Sequence, residues 1–465
     1  MIYNNRNRRA ELRSRCVSLL GQDAVLTDEQ VHARSAGIWG PPRTVAADLL
    51  VRPADTAQVA GFLSICHELG QSVVVHGGLT GVVDGAWAGA CDVVLSLERL
   101  SGIESVDPLG ATLTAGAGTP LATIQDVAAT HGLMFPLDIG ARGTATIGGN
   151  VATNAGGNRV IRYGMARSLI LGLEAVLADG TVLSSMNRMI KNNAGYDLKQ
   201  LFIGTEGTLG VVTRVVVRLL AQPASRETAL VAIGDFDRVC RFLGYLNGAC
   251  SGALSAYEVM WRDYYAFITA TRSAPLPPDF AFYALIETLG SDPIRDGEQF
   301  AAVLDEAQAS GLIDDAVIAK SGREQERLWS IRDDVVRLLE LEPMFLFDVS
   351  LPIGSVERYV DTIRAALAKT WPDHRMFVFG HLGDGNIHLA ISAGPASGAS
   401  RQAVEETVYR PLGALGGSIS AEHGIGLEKK PYLSWCRSDA EIAVMKALKL
   451  TLDPKGILNR GKIFD

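Results

Sequence analysis

The sequence has no surplus of positive charge and no long apolar run, and these absences disfavour two classes of protein. It contains 43 Lys and Arg residues against 51 Asp and Glu residues, which gives a formal net charge of -8 at pH 7. Such a charge repels the phosphates of nucleic acids, so a nucleic-acid partner is not expected. No apolar stretch approaches the ~18 residues that span a bilayer, so the sequence predicts no transmembrane segment.

The sequence also lacks paired cysteines. Its 6 cysteines are scattered, and none belongs to a CxxC motif. This pattern indicates buried thiols in a reducing compartment rather than disulfide bonds or a cysteine-ligated metal. The N-terminal stretch is rich in arginine but precedes no apolar block, so it does not resemble a secretory signal. We therefore expect a cytoplasmic protein, or a mitochondrial-matrix protein if the source is a eukaryote, that can associate peripherally with a membrane.

A chain of 465 residues is too long for one hydrophobic core, so several domains are expected. The order of the predicted elements indicates where they divide. An apolar helical stripe opens the chain, and β-rich runs alternate with helices from about Asp48 to Ala221. From Ser225 onward, strands alternate with longer single helices, which is typical of a ferredoxin-like cap with an antiparallel sheet. The predicted cap helices cover 235–250, 292–311 and 355–370. The predicted divisions are 1–45, 46–224, 225–417 and 418–465, the last returning to the 46–224 domain.

Two glycine-rich loops lie in the β-rich region. One covers residues 75–81 after a predicted strand, and the other covers residues 145–157. Glycine lets backbone N–H groups approach a diphosphate that a Cβ atom would block. Either loop alone is explained by a turn, but together, with Asn150 and Asn154 as donors, they exceed what turns require. The sequence has no GxxxxGK[ST] motif, and the run from Gly116 to Leu121 lacks the third glycine of a dinucleotide fingerprint, so a Rossmann domain is not predicted.

A histidine-rich region lies near the C-terminus. The motif at 380–388 reads GHLGDGNIH, and its Gly-Asp-Gly-Asn turn can bring His381 and His388 together, with Glu422 arriving from elsewhere in the chain. Two imidazoles and one carboxylate leave open positions on a metal, which is the pattern of a catalytic site that suits Zn, Mn or Fe. From the spacing alone, two histidines that merely pack the turn are the alternative.

Two further residues are candidates for the chemistry of this region. His423 adjoins Glu422, and neighbouring side chains of an extended segment point to opposite faces, so His423 can act as a general base. A histidine that only supports the site by hydrogen bonding is the alternative. The guanidinium of Arg332 matches a carboxylate bidentately. From spacing alone, Arg332 is a helix-surface residue paired with Asp333 or Asp334.

Three segments carry a resemblance to a known family. GGLTG (77–81), PLDIGARGTATIGGNVATNAGGNRVIRYG (136–164) and GYDLKQLFIGTEGTLGVVT (195–213) resemble the FAD domain of the vanillyl-alcohol oxidase/p-cresol methylhydroxylase superfamily. Within it they resemble the D-2-hydroxyacid dehydrogenases of D-lactate, D-2-hydroxyglutarate and glycolate type. The resemblance implies an α+β fold. A two-subdomain FAD-binding domain of p-cresol methylhydroxylase type would be joined to a ferredoxin-like cap with an antiparallel sheet.

The resemblance implies that FAD is bound without a covalent link, because no histidine lies within the loop at 77–81. It also implies a set of residues that contact the cofactor. These are His76, Gly77, Gly78, Leu79, Thr80, Gly81, Pro136, Gly148, Gly149, Asn150, Thr153, Asn154, Gly156, Glu206, Gly210, Val211, Val212 and Asn459.

The resemblance implies a role for each candidate in the histidine-rich region. A divalent metal, zinc in the first place, would bind His381, His388 and Glu422, and His423 would take the hydroxyl proton of the substrate. Arg332 would hold the substrate carboxylate. Members that prefer D-2-hydroxyglutarate carry polar or cationic residues at three pocket positions, which hold Val336, Leu346 and Ala390 in this chain. This difference predicts D-lactate or an apolar or aromatic D-2-hydroxy acid as substrate, with D-2-hydroxyglutarate as the alternative.

The predicted reaction passes a hydride from C2 to flavin N5, and the electrons then pass to a separate acceptor. Electron-transfer flavoprotein, a quinone or a cytochrome are the acceptors that the resemblance implies, and a homodimer is compatible with it. Three other interpretations use the same residues. The histidine-rich cluster alone fits a metallohydrolase, which would leave the loop at 145–157 without a purpose. The other two are a flavin oxidase that uses oxygen directly and a non-catalytic subunit of a larger oxidase.

Overall fold

The chain is described here from a computed structural model, which covers residues 2–37 and 43–465. The side chains of residues 2–7, 36 and 43 lie outside this description, so the predicted segment 1–45 is covered only in part. Two compact units form. Unit 1 contains the chain up to Gly156, Met165–Gln222 and Glu422–Asp465. Unit 2 contains Gly157–Gly164 and Pro223–Ala421.

Strands and helices are numbered in chain order. The strands are β1 (Val25–Thr27), β2 (Ser35–Ala36), β3 (Arg43–Thr44), β4 (Leu49–Val51), β5 (Val73–His76), β6 (Val93–Ser96), β7 (Ile103–Asp107), β8 (Thr112–Gly116), β9 (Leu133–Met134), β10 (Ile170–Val176), β11 (Val182–Ser185), β12 (Val211–Arg218), β13 (Leu220–Ala221), β14 (Ser225–Ile233), β15 (Leu254–Trp261), β16 (Phe282–Gly290), β17 (Asp315–Ile318), β18 (Phe345–Ser350), β19 (Arg375–Gly380) and β20 (Asn386–Ser392). The α-helices are α1 (Ile2–Leu20), α2 (Glu29–His32), α3 (Thr56–Leu69), α4 (Leu121–Ala129), α5 (Ile147–Thr153), α6 (Val160–Tyr163), α7 (Ala166–Leu169), α8 (Phe236–Ala249), α9 (Arg262–Thr269), α10 (Pro293–Ala309), α11 (Gly322–Asp333), α12 (Val356–Thr370), α13 (Gly398–Tyr409) and α14 (Asp439–Leu452). Short 3-10 helices cover Gln22–Ala24, Leu198–Leu201, Val335–Glu340, Ile353–Ser355, Leu382–Asp384, Gly413–Leu415 and Lys430–Trp435.

Unit 1 contains a small, largely parallel sheet in the order β1-β4-β6-β5. The residues before His76 in β5 are valines, and β5 pairs in parallel with β6. Helix α3 covers the connection between β4 and β5. It begins at the N-cap Asp55, whose carboxylate accepts a hydrogen bond from Gln58 N, and it ends at Gly70 in the left-handed region. The first glycine loop therefore leaves the end of a buried parallel strand.

Unit 1 also contains a five-stranded antiparallel sheet in the order β11-β10-β12-β8-β7. The sequence predicts one strand candidate over 169–183, whereas the structure divides it into the hairpin β10–β11. The cause is the turn at Asp179-Gly180, because Gly180 has φ +92° and its N–H donates to Leu177 O.

Unit 2 is built on a seven-stranded antiparallel sheet in the order β17-β14-β16-β15-β19-β20-β18. The predicted cap helices form as α8, α10 and α12, and the side chains of Asp235 and Asp292 cap the first two. Strand β15 is not predicted from the sequence. All residues of this strand are buried, so its sequence LSAYEVMW lacks the polar–apolar alternation that reveals a half-exposed strand.

The structure places all six cysteines and shows how apolar the described helices are. All six cysteines are free, and Cys16, Cys66 and Cys250 are buried as expected. Cys91 is exposed, so the expectation of buried thiols is wrong for this residue, which lies in the loop before β6. Among the residues that the structure describes, no helix combines the length and the apolar character that crossing a membrane requires.

Candidate functional site

One face of the unit 2 sheet brings the predicted histidines beside acidic and aromatic side chains. The pairing is Met260 with Phe379, Phe379 with His388, and His388 with Asp348. Directly paired residues of antiparallel strands share a face, so these four side chains form a row across β15, β19, β20 and β18. The rings of His381 and His388 lie with centroids 5.2 Å apart and nearly perpendicular planes, at 84°. The Gly-Asp-Gly-Asn turn thus brings the two histidines together.

A buried carboxylate joins His381 to Arg332. Glu258 lies on β15 and is 0% exposed. Its Oε1 lies 2.6 Å from His381 Nδ1, and its Oε2 accepts a hydrogen bond of 2.7 Å from Arg332 Nε. Arg332 Nη2 lies 3.2 Å from His381 Nε2. The three side chains form a closed ring of polar contacts.

The charge of Glu258 is set by two opposing effects. Burial alone would raise the pKa of this carboxyl, because a buried anion loses its hydration. The charges of Arg332 and, when its ring is protonated, of His381, together with hydrogen bonds from both side chains, outweigh burial and lower the pKa to about 2. Glu258 is therefore a carboxylate over the whole range in which enzymes work. Its sequence signal was a lone acidic residue in an apolar run.

Arg332 is held in place from several sides. Its carbonyl accepts a 2.7 Å hydrogen bond from the Tyr264 hydroxyl, and its guanidinium lies 5.4 Å from the ring centroid of Phe379. The side chain is buried, so the alternative of a helix-surface arginine paired only with its neighbours is wrong. Asp334 pairs instead with Arg272, and Asp333 Oδ1 lies 3.7 Å from Arg332 Nη1.

Asn386 lies on the same face of β20 as His388, because the two residues are two apart in a strand. Its side chain is 3% exposed, and neither Nδ2 nor Oδ1 has a hydrogen-bond partner within the described part of the chain. A buried amide without partners costs free energy unless a ligand or water completes it. From the sequence, Asn386 is predicted only as part of the Gly-Asp-Gly-Asn turn. Nearby, Asp348 Oδ2 accepts a 3.1 Å hydrogen bond from Ala421 N.

The predicted substrate residues fall in two places. Leu346 pairs with Ala390, and Ala390 pairs with Phe377, so an apolar row lies beside the histidine row on the same face. Ala390 is buried and Leu346 half-buried. Val336, by contrast, lies in the 3-10 helix after α11 and is 68% exposed. The structure brings Leu346 and Ala390 together but not Val336.

In unit 1 the two glycine loops pack against each other. A Cβ atom on Gly78 would lie 2.1 Å from Thr144 O, and one on Gly77 would lie 2.8 Å from Thr146 Oγ1. Glycine is therefore required at both positions for the loops to touch. Leu79 has φ 58° in the left-handed region, which is unusual for a leucine. Around Gly81 a Cβ atom would meet nothing within 4 Å.

Two buried polar atoms of unit 1 fit a polar cofactor. His76 Nε2 lies 2.8 Å from Ala86 O, whereas His76 Nδ1 is buried without a hydrogen-bond partner among the described residues. Asn150 Nδ2 is likewise buried without a hydrogen-bond partner among the described residues. Burial lowers the pKa of His76 to about 4, so its ring is neutral and offers Nδ1 as an acceptor. A dinucleotide carries the donors and acceptors that such atoms need.

Other residues of the predicted FAD set pack unit 1 itself. Asn459 Oδ1 accepts from Val75 N, and its Nδ2 donates to Glu206 O. Asn154 Oδ1 accepts from Arg167 N. The remaining predicted FAD residues lie close to the glycine loops in the sequence or at the start of β12. Thr153 Oγ1 donates to Gly149 O, Gly148 packs against Ala117, Gly210 packs against Phe202, and Pro136, Val211 and Val212 are buried.

The segment after Glu422 is fixed within unit 1. Glu206 Oε1 accepts a 2.7 Å hydrogen bond from Ile425 N, and its Oε2 accepts a 2.9 Å hydrogen bond from Gly426 N. Burial raises the pKa of this carboxyl, although the two amides oppose the effect. A Cβ atom on Gly156 would lie 2.6 Å from Glu422 Oε1. The end of the second glycine loop therefore contacts the predicted metal carboxylate.

The predicted ligands belong to both units: His381 and His388 to unit 2, Glu422 to unit 1. Among the described residues, no group of three or more His, Cys, Asp or Glu side chains is arranged to hold a metal ion. The pair His381 and His388 nonetheless offers imidazole nitrogens of the kind that metals bind, and the contacts of His381 with Glu258 and Arg332 match a lone pair on Nε2. Glu258 can only accept the proton of Nδ1, and Arg332 Nη2 can only donate to Nε2.

Comparisons with known proteins agree along most of the chain. A family model described as "FAD binding domain" matches residues 47–185, and one described as "FAD linked oxidases, C-terminal domain" matches residues 222–463. The mitochondrial D-2-hydroxyglutarate dehydrogenase of Bos taurus is 38% identical over 426 residues, which cover 90% of this chain and 78% of that protein. The D-2-hydroxyglutarate dehydrogenase of Xanthomonas citri pv. viticola is 35% identical and covers 89% of this chain and 88% of its own. The crystal structure of p-cresol methylhydroxylase with substrate bound has a TM-score of 0.77 at 17% identity, covering 99% of this chain and 97% of its own, so the predicted fold is confirmed.

Proposed function

Because the chain belongs to the family of FAD-linked D-2-hydroxyacid dehydrogenases, we propose that it oxidises a D-2-hydroxy acid with an uncharged or apolar tail to the 2-oxo acid. One observation carries the choice of substrate. The apolar row of Phe377, Ala390 and Leu346 lies directly beside the histidine row on the same sheet face. A tail against this row gains roughly 0.8 kcal/mol per buried CH₂, whereas a second carboxylate there would be desolvated without a partner.

Arg332 binds the carboxylate of the substrate in this proposal. Its Nε is held by Glu258, which directs the Nη1 and Nη2 side of the fork toward the sheet face that carries His381. Two parallel N–H donors match the two oxygens of a carboxylate, and burial strengthens the pairing. Asn386, whose amide has no partner among the described residues, is a second candidate for a substrate oxygen.

FAD is the cofactor, held without a covalent bond by the loop at 77–81, His76, Asn150 and the segment at 148–156 of unit 1. When bound, it supplies the acceptor for the hydride that leaves C2 of the substrate. The two glycine loops allow a close approach by backbone N–H groups, and neutral His76 and Asn150 place a free acceptor and donor in a buried environment.

A divalent metal, zinc in the first place and Mn or Fe otherwise, binds to His381 and His388, with Glu422 as the carboxylate ligand. When bound, it supplies a positive charge that lowers the pKa of the substrate hydroxyl. An imidazole nitrogen of His423 then accepts the hydroxyl proton. The chain positions His423 by anchoring the amides of Ile425 and Gly426 on Glu206, two and three residues further along.

The electrons leave to a separate acceptor, for which electron-transfer flavoprotein, a quinone and a cytochrome are the candidates. The relative from Bos taurus is named as a mitochondrial protein. For this chain we propose the cytoplasm, or the mitochondrial matrix in a eukaryote, as the compartment. A homodimer is the assembly that we propose to test.

A turnover screen tests the proposal. The purified enzyme is given D-lactate, D-2-hydroxyisocaproate, D-mandelate, D-2-hydroxyglutarate and the L isomers with one artificial dye acceptor. The expected result is activity on the D isomers, with a higher kcat/KM for an uncharged tail. Activity restricted to L isomers would overturn the assignment of the reaction. Omission of the dye in air separates a dehydrogenase from an oxidase that uses oxygen directly.

D-2-hydroxyglutarate is the second candidate substrate. The specific observation in its favour is that the relatives from Bos taurus and Xanthomonas citri are both named for it. A cation from another part of the chain would then have to pair with the distal carboxylate. The highest kcat/KM in the screen on D-2-hydroxyglutarate would select this candidate and reject the apolar tail.

A further inference from the structure

We propose that Glu258 is a positioning residue that fixes which nitrogen of His381 carries the proton and how Arg332 presents its guanidinium. The inference rests on the proposed function, which assigns a metal to His381 and the substrate carboxylate to Arg332. Its basis is one carboxylate, fully buried, whose two oxygens are bound separately by these two residues.

The contacts of His381 with Glu258 and Arg332 agree on one assignment of its proton. Glu258 is a pure acceptor, so the nitrogen that faces it at 2.6 Å, Nδ1, carries a hydrogen. Arg332 Nη2 is a pure donor, so the nitrogen that faces it at 3.2 Å, Nε2, carries a lone pair. An imidazolium would place two N–H groups against each other at Nε2. The lone pair of His381 therefore lies on Nε2, where it accepts from Arg332 Nη2. It would become available to a metal when Arg332 turns Nη2 to the substrate carboxylate, with the ring oriented by Glu258 on its other side.

The fold places Glu258 where it can do this. The ladder between β15 and β19 consists of Met260 with Phe379 and Val259 with Gly380. If this antiparallel register is continued by one residue, Glu258 lies opposite His381, just beyond the last paired residues of the two strands. Cross-strand neighbours at this distance interact directly. The turn holds the carbonyl of His381 through the N–H groups of Asp384 and Asn386, and the Glu258 carboxylate contacts its ring.

Burial or folding alone does not explain why Glu258 pairs with His381 and Arg332. A second buried glutamate of the same sheet, Glu287, allows a matched comparison. Glu287, on the neighbouring strand β16, is 1% exposed and points to the same face. It accepts hydrogen bonds from Arg226 Nε at 2.5 Å and from Trp329 Nε1 at 3.0 Å. Both glutamates are buried and paired, but only Glu258 contacts residues of the candidate site.

The Glu258→Gln variant removes one of the two acceptor oxygens. Its amide can accept from either His381 or Arg332 but presents an NH₂ group to the other. We expect the metal dissociation constant to rise 10–100-fold, as is usual when the outer partner of a metal histidine is lost. We also expect KM for the hydroxy acid to rise about 10-fold, because Arg332 loses its orientation. Glu258→Asp keeps the charge and is expected to recover part of both losses. Glu287→Gln is expected to change neither by more than about twofold.

The experiment uses the FAD-containing enzyme. Metal content is measured after dialysis against buffered Zn²⁺ or Mn²⁺, KM and kcat with a dye acceptor, and flavin content by absorbance as a check of folding. In parallel, ¹⁵N-histidine-labelled wild-type protein gives the protonation of each ring nitrogen, with the His381 signal identified by its loss in His381→Asn. The expected spectrum has a protonated Nδ1 and an unprotonated Nε2 for His381.

The outcomes separate the inference from the proposed function. A proton on Nε2 of wild-type His381 would overturn the inference. This measurement needs no variant of Glu258, so it still gives an answer if Glu258→Gln misfolds. Metal affinity and KM in Glu258→Gln equal to those in Glu287→Gln would also overturn it. If His381→Ala keeps its metal and its turnover, the proposed function fails at the ligand assignment, while the wild-type ¹⁵N spectrum still decides the role of Glu258.

Discussion

Gly156 and Glu422 lie in direct contact: a Cβ atom on Gly156 would be 2.6 Å from Oε1 and 3.2 Å from Cδ of the glutamate. A Cβ atom here would have to displace this carboxylate, so the glycine leaves room for the observed position of a side chain 266 residues further along the chain. The contact links the second glycine loop to the carboxylate that is predicted to bind metal.

Gly156→Ala should therefore displace the Glu422 carboxylate. We expect the metal dissociation constant to rise about 10-fold or more, by analogy with the loss of a ligand-orienting partner. Metal is compared per bound flavin, because Gly156 also belongs to the segment that is proposed to hold FAD. Metal per flavin, measured after dialysis, checks this expectation. Gly244→Ala is the control, because a Cβ atom at this exposed position of α8 would meet nothing within 4 Å. Equal metal content in the two variants would contradict the prediction.

The binding of FAD without a covalent bond has a direct test. The loop at 77–81 contains no histidine, and the ring of His76 is held by Ala86 O through Nε2. Precipitation of the protein with acid should release all of the yellow colour into the supernatant. Flavin that stays with the washed pellet would refute non-covalent binding.

The prediction for His423 concerns proton transfer. Loss of a general base lowers the rate by about 10²–10⁴-fold, so His423→Ala should lower kcat by that factor with metal and FAD retained. The control is His374→Ala, because His374 bonds only the nearby Trp371 O among the contacts described. A fall in kcat of less than roughly threefold would leave His423 with a packing role.

Stability in acid should depend on His76. Burial lowers the pKa of its ring from 6.5 to about 4, so between these values the unfolded chain binds a proton that the folded chain rejects. Stability is thus present above pH 6.5 and is lost as the pH falls, by about 2 kcal/mol at pH 5. His76→Gln keeps a donor for Ala86 O but does not titrate. Urea unfolding at pH 7.5 and pH 5, followed by flavin fluorescence, should show a smaller loss in this variant, and an equal loss would reject the prediction.

The family could be predicted from the sequence because its motifs are contiguous. The segments at 77–81, 136–164 and 195–213 each lie in one stretch, and the family models over 47–185 and 222–463 confirm the family. Helices α8, α10 and α12 were predicted within a few residues, because their apolar faces repeat at helical spacing and two begin at an aspartate cap.

Glu258 could not be predicted in the same way. Its strand is buried on both faces and shows no alternation, and its partners His381 and Arg332 lie 123 and 74 residues away in sequence. Only the tertiary fold brings the three together. Val336 illustrates the converse: its spacing from Arg332 suits a continued helix, but α11 ends at Asp333 and the following 3-10 helix turns Val336 outward.

The last prediction concerns the tail of the substrate. A one-residue slip of β18 would have turned Leu346 away from the histidine row, but Leu346 pairs with Ala390, two positions from the pair of Asp348 and His388, and so shares their face. Leu346→Lys would place a cation beside the apolar row, where the distal carboxylate of D-2-hydroxyglutarate lacks a partner. We expect kcat/KM for D-2-hydroxyglutarate to rise about 10-fold relative to that for D-lactate.

The matched control is Phe345→Lys, which adds the same charge on the adjacent residue of β18. Phe345 pairs with Ile391 and faces the opposite side of the sheet. It should change the ratio of the two kcat/KM values by less than about twofold, because a cation on the opposite face cannot pair directly with the distal carboxylate. An equal rise in both variants would show that long-range attraction, rather than pairing at the apolar row, controls the preference. No rise in Leu346→Lys would mean that the substrate tail does not reach this row, and the apolar-tail argument would lose its basis while the flavin and metal assignments stayed intact.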